Sequence, residues 1–123
     1  MFENLTTPII FFNKKTSVNV NEIVLLEANI NYTTIHFDKG RQMVLATTIK
    51  KMELLLKEHG FLRIHKKYVL NLSYTDDSLL KSGTFTLQNN IQIRVSRRKR
   101  GELRKKMKVS RTKINKERLT NQN

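Results

Sequence analysis

The chain contains no cysteine, a single proline and four glycines, and it has few acidic residues to balance its basic ones. Without cysteine, disulfides and thiolate metal sites are excluded. The longest apolar runs, such as residues 23–26, are far shorter than the ~20 residues needed to span a bilayer. Glu3 lies where a signal peptide would carry basic residues, and no long apolar segment follows it. We therefore predict a cytoplasmic protein.

Motifs for catalysis are also missing. The histidines His36, His59 and His65 lie in different predicted elements and lack metal-ligand spacing. No Gly-rich phosphate loop and no serine elbow occurs, and the adjacent Asp76 and Asp77 favour a turn over an acid–base pair. We predict that the protein is not an enzyme and binds neither a metal nor a cofactor.

Positive charge is what the chain has in excess. Lys and Arg number 24 against 10 Asp and Glu, which gives a formal net charge of +14. Residues 97–118 alone hold twelve basic side chains against Glu102 and Glu117, and so supply +10 of this total. Such a surplus indicates an anionic partner, which could be DNA, RNA or anionic lipid.

A chain of 123 residues is most simply one domain. Apolar alternation predicts about nine short strands, a pattern that favours a β-rich sandwich over βαβ units. Strands are predicted over residues 8–12, 16–20, 23–26, 33–37, 43–46, 84–87 and 91–95, and on both sides of His65–Lys67. Between strands, residues 27–32 are predicted as a loop because of their two asparagines, residues 74–77 as a link to residues 78–81, and residues 88–90 as a hairpin turn.

The first predicted helix starts at Thr47 or Thr48, because either hydroxyl can cap it, and ends at about Glu58 before Gly60. One face carries apolar residues at helical spacing, and these should pack against the sheet: Ile49, Met52, Leu55 and Leu56. Its lysines are expected mostly on the opposite, solvated face.

Ser96 can cap a second helix that runs from about Arg97 to Met107. This helix is strongly basic, and Leu103 and Met107 are its only apolar anchors, so we expect light docking. Residues 108–123 are polar and are expected to be disordered. The chain is thus predicted to comprise a domain over residues 1–107 and a basic tail over residues 108–123.

Three polar clusters adjoin predicted strands: Asn29/Asn31/Tyr32, His65/Lys66/Lys67 and Ser96/Arg97/Arg98. Phosphates are contacted by Lys, Arg, hydroxyls and helix N-termini, whereas Arg or Lys reads guanine and Asn reads adenine. Three such loops on a sheet scaffold could read successive base positions of a nucleic acid without a recognition helix. Other interpretations stay open, since Asn31 could be a turn residue only and His65 a structural hydrogen-bonding group.

A set of landmarks in fixed order resembles the LytTR DNA-binding domain: residues 23–28, Asn31-Tyr32, Ala46-Thr47-Thr48, residues 61–71 and Val95-Ser96-Arg97-Arg98. The set extends from about Pro8 to Met107. The resemblance implies a β-rich α+β fold of short antiparallel sheets, with one packed helix and a short basic C-terminal helix. It also implies binding of direct repeats in promoter DNA by loops that enter successive major grooves.

By motif, the resemblance implies base contacts at Asn31 or Tyr32, at Lys66 and at Arg97. Phosphate contacts are predicted at six further residues, namely Lys50, His65, Lys67, Ser96, Arg98 and Arg100. The expected partners are double-stranded DNA, a second copy of the chain on DNA, and a regulatory protein of unknown identity. Many family members carry an N-terminal receiver domain, but few residues precede the first strand here. We therefore expect a stand-alone regulator controlled by its expression, a partner or a ligand.

Two other functions remain in view. A sequence-tolerant RNA or single-strand binder would need exposed stacking aromatics, for which Tyr32 and Tyr74 are the candidates. An interaction module would instead use edge strands or the basic tail to bind an acidic partner. The hypothesis favoured by the sequence is a transcription regulator that binds specific double-stranded DNA.

Overall fold

The computed structural model describes residues 8–87 and 92–107. Within these ranges there are nine strands: β1 Ile9–Phe11, β2 Ser17–Asn19, β3 Ile23–Asn29, β4 Tyr32–Phe37, β5 Gln42–Leu45, β6 Phe61–His65, β7 Tyr68–Asn71, β8 Thr84–Thr86 and β9 Gln92–Arg94. The helices are α1 Ile49–Leu56, α2 Asp77–Ser82 and α3 over residues 97–107, and short 3-10 turns span Val20–Glu22, Asp38–Gly40, Lys57–His59 and Leu72–Tyr74.

All the described strand pairs are antiparallel. The central sheet has the order β5-β4-β3-β7-β6, and two hairpins, β1-β2 and β8-β9, form separate two-stranded sheets. The predicted β-rich fold of short antiparallel sheets is confirmed.

The central sheet separates two hydrophobic cores. On one face, Leu26 and Ile35 pack with Met52 of α1 and Val18 of the β1-β2 hairpin. On the other face, a second cluster joins the sheet to α2, the β8-β9 hairpin and α3; it includes Leu25, Leu70, Leu79, Ile93 and Leu103. Because β3 lies in the middle of the sheet and is covered on both sides, its apolar run is continuous and does not alternate.

The predicted loop over residues 27–32 is wrong. β3 continues to Asn29, which pairs with Tyr32 at the start of β4, so that only Ile30 and Asn31 form the turn. β3 receives backbone hydrogen bonds from β4 on one side and from β7 on the other. These long-range pairs outweigh the local preference of asparagine for loops.

Residues 77–82 form the helix α2, which the strand-rich pattern did not predict. Asp76 caps it by accepting hydrogen bonds from the Ser78 amide (2.9 Å) and hydroxyl. Gly83, with φ of 73°, ends it as the left-handed C-cap, and its amide donates to the Leu79 carbonyl at 2.8 Å. A helix this short with one buried residue, Leu79, has too few turns to show an apolar period.

Thr48, rather than Thr47, caps α1, and its hydroxyl accepts from the Lys51 amide at 3.3 Å. The predicted packed face is confirmed for three of its four members, Ile49, Met52 and Leu56. Leu55 is 45% exposed, so its assignment to that face was wrong. Helix α1 meets the sheet along a narrow stripe that excludes Leu55. The predicted end at Gly60 is confirmed by a left-handed residue there, with φ of 79°.

Ser96 caps α3 as predicted, because its hydroxyl accepts from the Lys99 amide at 3.2 Å and its carbonyl from the Arg100 amide at 2.8 Å. Leu103 and Met107 are both buried and fix α3 to the second core. The predicted hairpin turn at residues 88–90, the first residue of the strand predicted over residues 91–95 and the tail at residues 108–123 lie outside the described residues.

Candidate nucleic-acid interface

The strand register brings two turns and the start of α1 to one end of the central sheet. β3 ends and β4 begins at the Ile30–Asn31 turn, and β6 and β7 are joined by the Lys66–Lys67 turn. Glu27 of β3 pairs with Tyr68 of β7, which places the two turns at the same end. Thr33 pairs with Leu45 where β5 ends, so the α1 cap that follows lies there too. We call this the turn end of the sheet.

Hydrogen bonds connect the parts of the turn end directly. The Ala28 amide donates to the Lys67 carbonyl at 2.7 Å, which joins β3 to the second turn. The Thr33 hydroxyl donates to the Thr47 carbonyl at 2.6 Å, which joins β4 to the α1 cap. The two turns are centred two strand spacings apart, or about 10 Å. They form one rigid surface.

The Ile30–Asn31 turn projects from the sheet. Asn31 has φ of 63°, the left-handed conformation that asparagine tolerates, so its role as a turn residue is confirmed. Its side chain is nevertheless exposed, Ile30 is 88% exposed and Tyr32 is 50% exposed. The turn role of Asn31 therefore leaves its amide group available to an outside partner.

The Lys66–Lys67 turn is held by its neighbours while both lysine side chains are exposed. His65 accepts a hydrogen bond at Nδ1 from the Lys67 amide at 3.0 Å, as its structural interpretation predicted. The His65 ring also contacts the Tyr68 ring, with centroids 5.5 Å apart. Burial and then the charge of Glu27 raise the pKa of the Tyr68 phenol, which stays protonated at neutral pH.

Arg63 adds a second set of bonds to the same turn. Its Nε donates to the His65 carbonyl at 3.3 Å and its Nη2 to the Lys66 carbonyl. Its Nη1 donates to Glu53 Oε1 of α1 at 3.1 Å. One guanidinium therefore connects the turn with the helix beside it.

Helix α3 presents a row of arginines at positions i, i+3 and i+7. Arg97, Arg100 and Arg104 line one groove, and none of them forms an ion pair within residues 8–87 and 92–107. The Arg100 guanidinium lies against Gly83, where a Cβ would come within 3.0 Å of Cζ. The groove therefore concentrates positive charge on one face of α3.

The direction of α3 follows from its last residue. Met107 accepts a hydrogen bond at Sδ from the Thr75 hydroxyl at 3.7 Å, and the neighbouring Tyr74 hydroxyl donates to the Asn21 carbonyl at 2.6 Å, just before β3 begins. Met107 thus lies at the end of the sheet opposite the turn end. Arg97 is about 15 Å from it along the helix axis.

Comparison with known proteins assigns the chain to a family. A family model of the LytTR DNA-binding domain matches residues 13–108, well over half of the 123 residues. The chain belongs to the LytTR DNA-binding domain family. Its structure is similar to a LytTR DNA-binding domain from Bacillus cereus, with a TM-score of 0.55 and 18% identity over 82% of this chain and 95% of that one. A search of curated proteins finds no match.

DNA binding is therefore the activity to which the geometry of this LytTR domain must be related. The structure groups the predicted residues Lys50, Asn31, Tyr32, His65, Lys66 and Lys67 at the turn end, with Lys50 in the first turn of α1. It places Ser96, Arg97, Arg98 and Arg100 together at the N-terminal half of α3.

Sequence reasoning missed Arg63, Glu53 and Arg104 as parts of this LytTR surface. Alternation places Arg63 opposite the buried Leu62 and Ile64, which indicates only that it faces away from that core. Its bonds to the turn and to α1 arise from the tertiary arrangement. Arg104 could have been found from its helical spacing to Arg97 and Arg100.

The described residues contain no cluster of side chains that could hold a metal ion. Over the same ranges, none of the helices has the length and apolar character required to cross a membrane.

Proposed function

We propose that this LytTR domain binds specific sequences in double-stranded DNA and regulates transcription by reading repeated promoter half-sites. The proposal rests above all on the turn end, where exposed Asn31, Tyr32 and Lys66 lie in or next to short turns held by the central sheet. The backbone of such short, hydrogen-bonded turns has little freedom, so their side chains start from fixed positions, which favours base recognition.

Base contacts are assigned to Asn31, Tyr32, Lys66 and Arg97. An asparagine amide can donate to and accept from adenine in the major groove, and lysine or arginine can donate to guanine. The Tyr32 hydroxyl can donate or accept at a base edge. Each of these side chains is exposed and belongs to a turn, a strand start or a helix start.

Phosphate contacts are assigned to Lys50, His65, Lys67, Ser96, Arg98 and Arg100, and Arg104 joins them because it shares the arginine groove. His65 Nδ1 is used within the turn, which leaves Nε2–H to donate to a phosphate. The Ser96 hydroxyl accepts from α3 and can still donate through its proton. These contacts fix the protein on the duplex without carrying sequence information.

The spacing of the two turns limits what they can read. A separation of about 10 Å corresponds to about three base pairs at ~3.4 Å each. Asn31 or Tyr32 and Lys66 should therefore read positions within one half-turn of DNA. Contact with the next major groove falls to Arg97, on the separate helix α3.

Selection from a randomised duplex pool at physiological salt tests the proposal. We expect an enriched pair of short repeats separated by about one helical turn of ~10 bp, because each of two copies would occupy one half-site. No enrichment, together with affinity that collapses as salt rises, would contradict it. Tighter binding to single-stranded RNA than to any duplex would favour the RNA-binding alternative.

A second copy of the chain on DNA and a separate regulatory protein are the further partners in this proposal. The net charge favours association of the two copies on DNA rather than in its absence, because two chains of +14 repel each other until phosphates neutralise them. Such a regulator would act in the cytoplasm, where promoter DNA is reached.

A further inference from the structure

The Lys66–Lys67 turn lacks the backbone geometry that normally stabilises a two-residue hairpin. His65 pairs with Tyr68, so the turn has only two residues, yet neither lysine has the positive φ of a type I′ turn or, at the first position, of a type II′ turn. Turns without that geometry do not match the twist of the flanking strands. A register shift between Arg63 and His65 further disturbs the pairing of β6 with β7 at this point.

Arg63 supplies hydrogen bonds that offset this mismatch. Its Nε and Nη2 donate to the carbonyls of His65 and Lys66, while the Lys67 amide donates to His65 Nδ1. Both carbonyls belong to the segment whose direction sets where the Lys66 side chain points. The Arg63 side chain is 28% exposed; its two bonds to the turn lie at the surface, whereas its bond to Glu53 is partly buried.

Glu53 holds Arg63 from the other side. The Glu53 carboxylate lies 3.1 Å from Arg63 Nη1, and α1 is itself fixed to the sheet through Met52 and Leu56. A guanidinium can use all three of its nitrogens in one plane, whereas a lysine ammonium cannot donate to three acceptors in this arrangement.

We propose that Arg63 is a positioning residue for DNA recognition, with Glu53 as its anchor on α1. Arg63 does not contact bases; it fixes the backbone of the Lys66–Lys67 turn so that Lys66 meets its base in one orientation. This inference rests on the proposed function for its effect on DNA, but the effect on the turn itself stands independently. Base specificity at the Lys66 position thus depends on a residue of strand β6 and a residue of helix α1.

The variant Arg63→Lys tests the proposal because it keeps the charge while removing the three-way contact. We expect the ratio of specific to non-specific duplex affinity to fall on the order of tenfold. The slope of affinity against salt should stay unchanged, because the number of cations is the same. Glu53→Gln should give a smaller loss in the same ratio, since it weakens the anchor and leaves the bonds to the turn.

Arg41→Lys is the matched control. Arg41 also pairs with a carboxylate, Glu22 at 3.0 Å, but it follows β4 at the end of the sheet opposite the turn end. The same substitution there should leave the affinity ratio at the wild-type value. An equal loss in Arg41→Lys and Arg63→Lys would overturn the positioning role in favour of general destabilisation.

Amide hydrogen exchange gives a readout that needs no DNA. In Arg63→Lys the amides of Lys67 and Ala28, which bond within or to the turn, should exchange on the order of tenfold faster. The core amides of Leu26 and Val69 should be unchanged. Unchanged exchange at Lys67 would overturn the inference about Arg63. If exchange rises but wild-type protein prefers no sequence, the proposed function fails while the role of Arg63 in the turn stands.

Discussion

Lys66 and Arg97 lie in different secondary structure, and the local backbone determines how each side chain can approach a partner. Lys66 lies in a two-residue turn with hydrogen bonds on both sides, and Arg97 begins a helix immediately after its cap. Both are exposed, and neither forms an ion pair with a carboxylate of the described residues. Local rigidity with an unpaired charge is the combination that base recognition needs.

Replacement of Lys66 or Arg97 by alanine should weaken binding to the selected DNA site by ~1–3 kcal/mol and relax preference at one base position. Lys57→Ala is the control, because Lys57 is an exposed lysine at the end of α1 away from the turn end. Affinities for the selected duplex and for single-base variants provide the measurement. If both Lys66→Ala and Arg97→Ala keep the full base preference, the assignment of these contacts is wrong.

Asp76 should make the cap of α2 sensitive to acid. Hydrogen bonds from the Ser78 side chain and amide hold the pKa of the Asp76 carboxyl below its ordinary value of 3.8. A lowered pKa means that this stabilisation is present above the unfolded value and is lost as the pH falls through the folded one. Unfolding measured against pH should therefore show a component near and below pH 3.8 that is absent in Asp76→Asn. The same acid dependence in both proteins would contradict this assignment.

At the scale of elements, the DNA contacts proposed for α3 should depend on the stability of the helix, because its cap and its arginines lie in one segment. Ser96 lies between β9 and α3, caps α3 and directly precedes Arg97. Leu103 and Met107 are the buried apolar residues of this helix. The cap therefore matters more here than in a helix with a broad packed face.

Ser96→Ala should lower the free energy of unfolding by ~1 kcal/mol, because the amide of Lys99 loses its acceptor. Ser96→Asp should keep that stability, since aspartate is an equally good cap. Its negative charge beside DNA should nevertheless weaken binding. Denaturant unfolding and duplex affinity, measured on both variants, separate the two roles. Retained DNA affinity in Ser96→Asp would show that no phosphate approaches this residue.

For the molecule as a whole, paired and unpaired charges are distributed unevenly. The described carboxylates Glu22, Glu27, Glu53 and Glu102 each pair with a basic or histidine side chain, while the arginine groove on α3 has no acidic partner in the same ranges. Residues 108–123 carry five more cations and a single acid, Glu117. Long-range attraction to DNA should thus be strongest around α3 and the segment that follows it.

Removal of residues 108–123 should weaken binding to all duplexes to a similar extent and flatten the salt dependence. Each lost phosphate contact changes the slope of log affinity against log salt by ~0.9. The sequence enriched in selection should stay the same, because the proposed base contacts lie elsewhere. A changed consensus with an unchanged slope would show that the tail takes part in base recognition.

Strand content and the caps at Ser96 and Thr48 could be predicted from the sequence alone, whereas the DNA-binding residues stay a prediction. These features depend on local chemistry, such as a hydroxyl before a helix or an apolar alternation of two, which neighbouring residues fix. The LytTR resemblance rests on the same local landmarks in their order along the chain. Helix α2 could not be predicted, because a single buried residue, Leu79, leaves no period to detect.

Only the tertiary structure decided that Asn29 and Tyr32 pair within a sheet, that Leu55 is exposed, and that Arg63 joins the Lys66–Lys67 turn to Glu53. Each of these depends on strands and helices far apart in sequence coming together, which local patterns do not encode. The strand register also brought residues 31 and 66 to one end of the sheet. The sequence determined which side chains are candidates for DNA contact, and the pairing of distant strands decided which of them lie together on one surface.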